Sequence, residues 1–145
     1  MREELGELVT AVDHVGVAVA DLDRAIDFYR NTFGLVATHR ETNQEQGVHE
    51  AMLAAPDSAE TDTRVQLLAP ADESSTIAKF LDKNGPGLQQ LAFRVTDVEA
   101  ACATLRNRDV RLLFETPRRG TADSLVNFVH PKDAGGVLVE LVQPA

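Results

Sequence analysis

An internal repeat is the feature that most constrains how this chain can fold. Residues 13–21 match residues 89–97 in hydrophobic class and in a final aspartate, at an offset of 76 residues. Residues 65–70 match residues 139–144 at an offset of 74 residues, so the two alignments differ by a small insertion or deletion. Self-similarity of this kind indicates a duplicated structural unit.

Each half of the repeat has the pattern of a βαβββ module. In the first half, Asp21 is positioned to cap a helix over 22–33, and Gly34 to end it. In the second half, Asp97 is the equivalent cap. Apolar or alternating segments of strand length predict the strands, which are 12–20, 35–40, 48–54, 65–69, 88–95, 110–114, 124–130 and 137–142. A helix over 75–83 and the turn NGPG at 84–87 connect the halves.

The predicted fold class is therefore α+β. One βαβββ sheet would leave a face unburied, so we expect two modules packed side by side into a curved mixed sheet with a metal-binding cleft. We expect a single domain over 1–145, with modules at 12–70 and 88–143 joined by 71–87. A chain of 145 residues with 43% apolar content is large enough to bury a core of this kind.

Composition narrows the classes of partner. The formal net charge of −9 disfavours nucleic acid or an anionic membrane, because both attract clustered lysine and arginine. Cys102 is the only cysteine, which excludes an intramolecular disulfide and a thiolate zinc cluster. No segment resembles a signal peptide or a membrane span. We therefore expect a cytoplasmic protein that binds a small molecule.

Four polar side chains occupy equivalent positions of the two halves. The repeat pairs His14 with Gln90 and Gln66 with Glu140. Taken alone, His14 in an apolar strand would more often be a core histidine with its hydrogen bonds satisfied. Strand alternation places each of the four opposite bulky apolar neighbours. Four converging polar groups are costly to bury without a partner, and a divalent cation is the natural partner.

Glu50 is the candidate general base. It lies in the segment GVHEAML among apolar neighbours, where a carboxylate tends to have a raised pKa and can accept a proton near neutral pH. The pattern fits an edge-strand glutamate in water equally well.

The segments PRRG (117–120) and HPKDAGG (130–136) could hold an anionic ligand or form solvated turns. The other histidines are predicted to be surface or loop residues rather than ligands, and they are His39, His49 and His130.

Several motifs together resemble the methylmalonyl-CoA epimerase family of the vicinal oxygen chelate superfamily. They are DHVGVAVADLDRAIDFYRNTFGL, EQGVHEAML, VQLLAP, IAKFLDKNGPG, PRRG and NFVHPKDAGGVLVEL, in that order. The resemblance covers about residues 12–142. The opening DH and the closing GGVLVEL are typical of the superfamily, whereas EQGVHEAML together with HPKDAGG is typical of the epimerases.

The resemblance implies interconversion of the 2R and 2S forms of methylmalonyl-CoA by removal and return of the α-proton. It implies a proton-transfer pair, Glu50 and Glu140, and a metal bound by His14, Gln66, Gln90 and Glu140. It also implies a homodimer. Gln46 and Lys132, in the EQG and HPK segments, are candidate substrate contacts. The implied metal is cobalt, with manganese, magnesium or zinc as alternatives.

One ligand position departs from the family pattern. The family usually has two histidines where this chain has Gln89 and Gln90, and the second histidine is the ligand. An amide oxygen binds nitrogen-preferring transition metals less tightly than an imidazole does. Either Gln90 ligates through oxygen, or three protein groups hold the metal. Gln66 is already an amide ligand in the family pattern, which favours the first interpretation.

Two other functions fit parts of the sequence. A glyoxalase I-like isomerase acting on a glutathione hemithioacetal would share the fold and a similar metal site, but the EQG and HPK segments argue against it. A metal-free binding or sequestering protein of the same superfamily is the second alternative. Members of that kind commonly lack the full ligand set, and Gln90 is the residue that favours it.

Overall fold

The computed structural model describes residues 9–145 of the chain. These residues divide into two compact units. The first unit comprises residues 14–89, and the second unit comprises residues 9–13 and 90–145. The first strand, β1, covers Val9–Ala18 and belongs to the second unit up to Asp13 and to the first unit from His14.

The first unit contains helices and strands in the predicted order. After β1 come α1 (Leu22–Phe33), β2 (Val36–Asn43), β3 (Val48–Ala54), β4 (Arg64–Pro70) and α2 (Thr76–Asn84). The strands lie in the order β2-β3-β4-β1, with β1 parallel to β4. The carboxylate of Asp21 accepts the backbone N–H of Arg24 at the start of α1, and Gly34 ends the helix at φ 74°, a conformation that favours glycine.

The core of the first unit lies between α1 and one face of its strands. Leu22 of the helix packs with Leu53 and Leu67 of the strands, and Ile26 and Tyr29 cover this cluster. Because side chains alternate along a strand, the residues next to Leu53 and Leu67 in sequence face the opposite side. That side carries polar groups of the candidate site.

The second unit repeats the arrangement with shorter strands. It contains β5 (Gly87–Val95, from Gln90 onward), α3 (Val98–Arg106), β6 (Arg118–Arg119), β7 (Leu125–Val129) and β8 (Val139–Gln143). The strands lie in the order β5-β8-β7-β6, with β5 parallel to β8. Cys102 and Val98 of α3 pack against Val95 and Leu141, and burial raises the pKa of the Cys102 thiol.

One predicted strand is wrong. Residues 110–114 do not form a strand, and Leu112 makes an isolated bridge with Val129. Two side chains bind the backbone of Phe114: Asn127 accepts its N–H and donates to its carbonyl oxygen, to which Arg106 also donates. The N–H of Leu113 donates to Phe128 of β7, and the N–H of His130 donates to the carbonyl oxygen of Arg111. The contact with β7 does not continue to Phe114, because side chains instead of a strand satisfy the backbone there. The strand before β7 is instead the two-residue β6.

No helix in the described part of the chain is both long enough and apolar enough to cross a bilayer.

Candidate active site

Three of the predicted site residues lie on one face of the first unit. Gly16 of β1 and Met52 of β3 both pair with Gln66 of β4, and His14 and Glu50 lie two residues from those partners. His14, Glu50 and Gln66 therefore point to the same side of the strands, away from the core under α1. Their exposed fractions are 2%, 4% and 3%. Buried groups of this kind require polar partners.

Gln66 and Glu50 are hydrogen-bonded to each other. The Nε2 of Gln66 donates to Oε2 of Glu50 across 3.2 Å. The bond turns the Glu50 carboxylate toward β4 and fixes which end of the amide is the donor. The Oε1 of Gln66 is then the atom of this side chain that could bind a cation.

Glu41 is a further carboxylate beside Glu50, and the sequence reasoning missed it. Glu41 of β2 pairs directly with Glu50 of β3, so their side chains emerge on the same face. The carboxylate of Glu41 is half-buried and lies 2.6 Å from Nε2 of His39. The signal was present in the sequence, because a tight turn after Asn43 brings residue 41 opposite residue 50. His39 lies in β2, and its side chain is 39% exposed.

The other two predicted site residues meet in the second unit. Ala92 of β5 pairs with Glu140 of β8, and Gln90 lies two residues from Ala92 on the same face. The Nε2 of Gln90 donates to Oε1 of Glu140 across 2.7 Å. Glu140 is 7% exposed and Gln90 is half-buried. Each unit thus holds a buried carboxylate with a glutamine amide.

The two candidate substrate contacts lie in turns. Gln46 is half-buried in the turn before β3, and its backbone N–H donates to Oδ1 of the buried Asn43. Lys132 is exposed in the short 3-10 turn Pro131–Asp133, and its backbone N–H donates to Nδ1 of His130. Hydrogen bonds from Arg111 fix Asp133 in that turn and hold the pKa of its carboxyl well below the usual range.

The predicted metal ligands of each unit carry donor atoms of kinds that bind divalent cations. Among residues 9–145, three or more His, Cys, Asp or Glu side chains do not cluster. The candidate set is of a different kind, with one imidazole, one carboxylate and two amides. Three of these four side chains are buried, and both amides donate through nitrogen, which leaves oxygen as their ligating atom. An N,O donor set of this type suits cobalt, manganese, magnesium or zinc.

Comparison with known proteins first identifies the superfamily to which the chain belongs. Residues 13–128 match the model of the Glyoxalase/Bleomycin resistance protein/Dioxygenase superfamily. The chain is 61% identical to methylmalonyl-CoA epimerase from Mycobacterium tuberculosis, whose crystal structure it matches with a TM-score of 0.90 over 96% of this chain and 91% of that chain. The Streptomyces coelicolor methylmalonyl-CoA epimerase, in complex with 2-nitronate-propionyl-CoA, is 46% identical with a TM-score of 0.90 over 94% of this chain and 99% of that one.

A curated relative agrees with these structures. The ethylmalonyl-CoA/methylmalonyl-CoA epimerase of Cereibacter sphaeroides is 36% identical over 138 residues, which are 94% of this chain and 99% of that protein. The chain therefore belongs to this superfamily and, within it, to the methylmalonyl-CoA epimerase family. The predicted family and the predicted α+β fold class are confirmed.

Proposed function

We propose that this chain interconverts (2R)- and (2S)-methylmalonyl-CoA by moving the α-proton. The observation that carries the proposal is the pair of buried carboxylates, Glu50 and Glu140, each hydrogen-bonded to a glutamine amide. Epimerisation requires one group that removes a proton and another that supplies one to the opposite face of the planar intermediate. The family relationship supports the same reaction.

Glu50 is the proposed base. It takes the α-proton from the carbon between the thioester and the carboxylate of the substrate, and Glu140 gives a proton to the other face of that carbon. In the reverse direction the two roles exchange. The amide of Gln66 holds the Glu50 carboxylate in one orientation. Burial excludes water from both carboxylates, which protects the carbanionic intermediate from protonation by solvent.

The proposed metal ligands are His14, Gln66, Gln90 and Glu140. Members of the superfamily commonly use a divalent metal ion, and we propose cobalt, with manganese, magnesium or zinc as alternatives. A divalent cation would act as a Lewis acid toward the thioester and carboxylate oxygens of the substrate. Coordination would lower the basicity of Glu140, which is why Glu50 is assigned the role of the free base. Gln90 would ligate through Oε1.

Three further assignments complete the proposal. Gln46 and Lys132 contact the substrate from their turns, and the ammonium of Lys132 supplies a positive charge for an anionic group. The active protein is a homodimer. It acts in the cytoplasm, on a substrate that is itself water-soluble.

Isotope exchange tests the function. The protein, divalent metal and methylmalonyl-CoA are incubated in deuterated water, and the α-position is followed by mass spectrometry. We expect deuterium incorporation far above the rate without protein, together with loss of optical purity. Absence of both would overturn the epimerase proposal. Conversion of a methylglyoxal–glutathione hemithioacetal would support the isomerase alternative, and tight substrate binding without exchange would support the binding-protein alternative.

A further inference from the structure

An aromatic path leads from Glu140 to the edge of the second unit. Glu140 of β8 pairs directly with Phe128 of β7, so the two side chains lie on the same face. The ring of Phe128 meets the ring of Phe114 edge to face, with centroids 5.8 Å apart. The guanidinium of Arg118 lies over the Phe114 ring, 4.0 Å from its centroid. We name Phe128 and Phe114 the aromatic floor.

The aromatic floor is held rigidly. Asn127, which is fully buried, accepts the backbone N–H of Phe114 at 3.1 Å and donates to its carbonyl oxygen at 2.9 Å. Arg106 donates to the same carbonyl oxygen at 2.9 Å. Arg118 is itself fixed by β6, where it pairs with Val126 of β7. These hydrogen bonds and the ring contact hold the Arg118 guanidinium in place, which lowers the entropy cost of binding an anion.

The segment that carries Arg118 is cationic in an acidic protein. Residues 106–119 contain five arginines and two acidic residues, whereas the whole chain has a net charge of −9. Other arginines of the segment have structural partners: Arg111 binds Asp133, and Arg119 binds Asp123. Within residues 9–145, Arg118 contacts the ring of Phe114 and forms no ion pair. Stacking leaves the N–H edge of a guanidinium available to an anion.

We propose that Arg118 binds a phosphate of the coenzyme A portion of the substrate, with the pantetheine arm passing the half-buried ring of Phe114. The inference rests on the proposed function, because it takes the acyl group to react at Glu140. A coenzyme A thioester has a reactive acyl end, a long arm of apolar and amide groups, and a nucleotide end that carries phosphates. From Glu140, the buried ring of Phe128 supports the half-buried ring of Phe114, and the exposed Arg118 follows. A carboxylate, an apolar surface and a cation therefore occur in the same order. Arginine matches phosphate with paired N–H donors.

The test compares thioesters that differ in the nucleotide end. Epimerisation of methylmalonyl-CoA and of methylmalonyl-pantetheine is measured for the wild type and for Arg118→Ala. We expect the KM for the CoA thioester to rise roughly tenfold in the variant, as for loss of one charge-assisted phosphate contact. The ratio of kcat/KM between the CoA and pantetheine thioesters should fall by the same factor, because pantetheine carries no phosphate for Arg118 to bind.

Controls separate a specific contact from general charge effects. Arg24→Ala removes one exposed cation from α1 in the first unit, so it changes the net charge equally and should leave that ratio as in the wild type. Arg118→Lys should bring the KM part of the way back to the wild-type value, since an ammonium keeps the positive charge but lacks the paired N–H donors and the stacking of a guanidinium. Methylmalonyl-dephospho-CoA identifies the phosphate: a retained effect assigns the diphosphate, and a lost effect assigns the 3′-phosphate.

Two results would overturn the inference while leaving the proposed function intact. One is an unchanged KM for methylmalonyl-CoA in Arg118→Ala. The other is an equal loss of kcat/KM on the CoA and pantetheine thioesters, which would assign Arg118 a structural role. A wild-type protein that epimerises neither thioester would instead contradict the proposed function itself.

Discussion

Each carboxylate of the candidate site is oriented by a neighbouring amide. Gln66 donates to Glu50 and Gln90 donates to Glu140, at 3.2 and 2.7 Å. The two glutamines differ in their place in the repeat, since Gln66 corresponds to Glu140 and Gln90 corresponds to His14. The halves therefore reach the same carboxylate–amide pairing from different strand positions. The two glutamates should respond differently to substitution, because only Glu140 is a proposed metal ligand.

Glu50→Gln tests the role of the base. The amide keeps the size of the side chain but cannot accept the α-proton, so turnover should fall by about two to four orders of magnitude. Metal content, measured by mass spectrometry of the purified protein, should stay the same. Glu60→Gln is the matched control, because Glu60 is an exposed loop residue of the same unit. Loss of metal from Glu50→Gln would show that Glu50 is a ligand and would refute the assignment.

Gln90→His tests whether residue 90 faces the metal. An imidazole is a stronger ligand than an amide for cobalt or zinc, so the Kd for the metal should fall on the order of tenfold. Isothermal titration of the metal-free protein measures this change. Gln89→His is the control, because alternation along β5 turns residue 89 to the other face. Equal or weaker binding by Gln90→His would place residue 90 outside the ligand set.

Among the elements of the second unit, the segment between α3 and β6 is held in part by one buried amide. Asn127 makes both backbone hydrogen bonds of Phe114 and also donates to the sulfur of Cys102 at 3.5 Å. One side chain thus joins β7 to α3 and to an irregular stretch of chain. A buried polar group with several satisfied bonds is costly to remove, because its partners lose theirs.

Asn127→Ala should therefore destabilise the protein by about 2–4 kcal/mol. Urea denaturation measures the free energy of unfolding. Asn84→Ala is the control: Asn84 donates to the carbonyl oxygen of Phe80 in an exposed position at the end of α2, and its loss should cost less than about 1 kcal/mol. Similar values for the two variants would mean that the backbone of Phe114 finds other partners.

Elements whose own residues determine their structure could be predicted from the sequence. Asp21 and Asp97 cap their helices as expected, and both βαβββ orders are present. The prediction of a strand at 110–114 was wrong: its apolar residues are typical of a strand, but the pairing with β7 is limited to one bridge, and side chains of Asn127 and Arg106 bind the backbone of Phe114. Glu41 was missed because its strand was predicted to end at residue 40, whereas β2 continues to Asn43 and pairs Glu41 with Glu50.

At the scale of the whole molecule, binding of the proposed metal should stabilise the folded protein. A ligand that binds only the folded state stabilises it, by about 2.7 kcal/mol at a free concentration of 100 times the Kd. Calorimetry should therefore show a lower Tm after treatment with a chelator and recovery when cobalt is added. Glu140→Gln should abolish most of this response. An identical Tm with and without metal would contradict the proposed binding by the folded protein.

Gln90 has a consequence for how metal binding would depend on acidity. Protons compete with metal ions for imidazole and carboxylate ligands, and bound metal displaces them. An amide does not titrate between pH 5 and 8. With Gln90 at this position, which is hydrogen-bonded to Glu140, one fewer ligand would be lost to protons as the pH falls. Compared with a homologous site that has histidine at this position, the proposed site would bind metal less tightly at neutral pH but would depend less on pH. Metal uptake by this protein should release fewer protons, and mild acid should weaken it less.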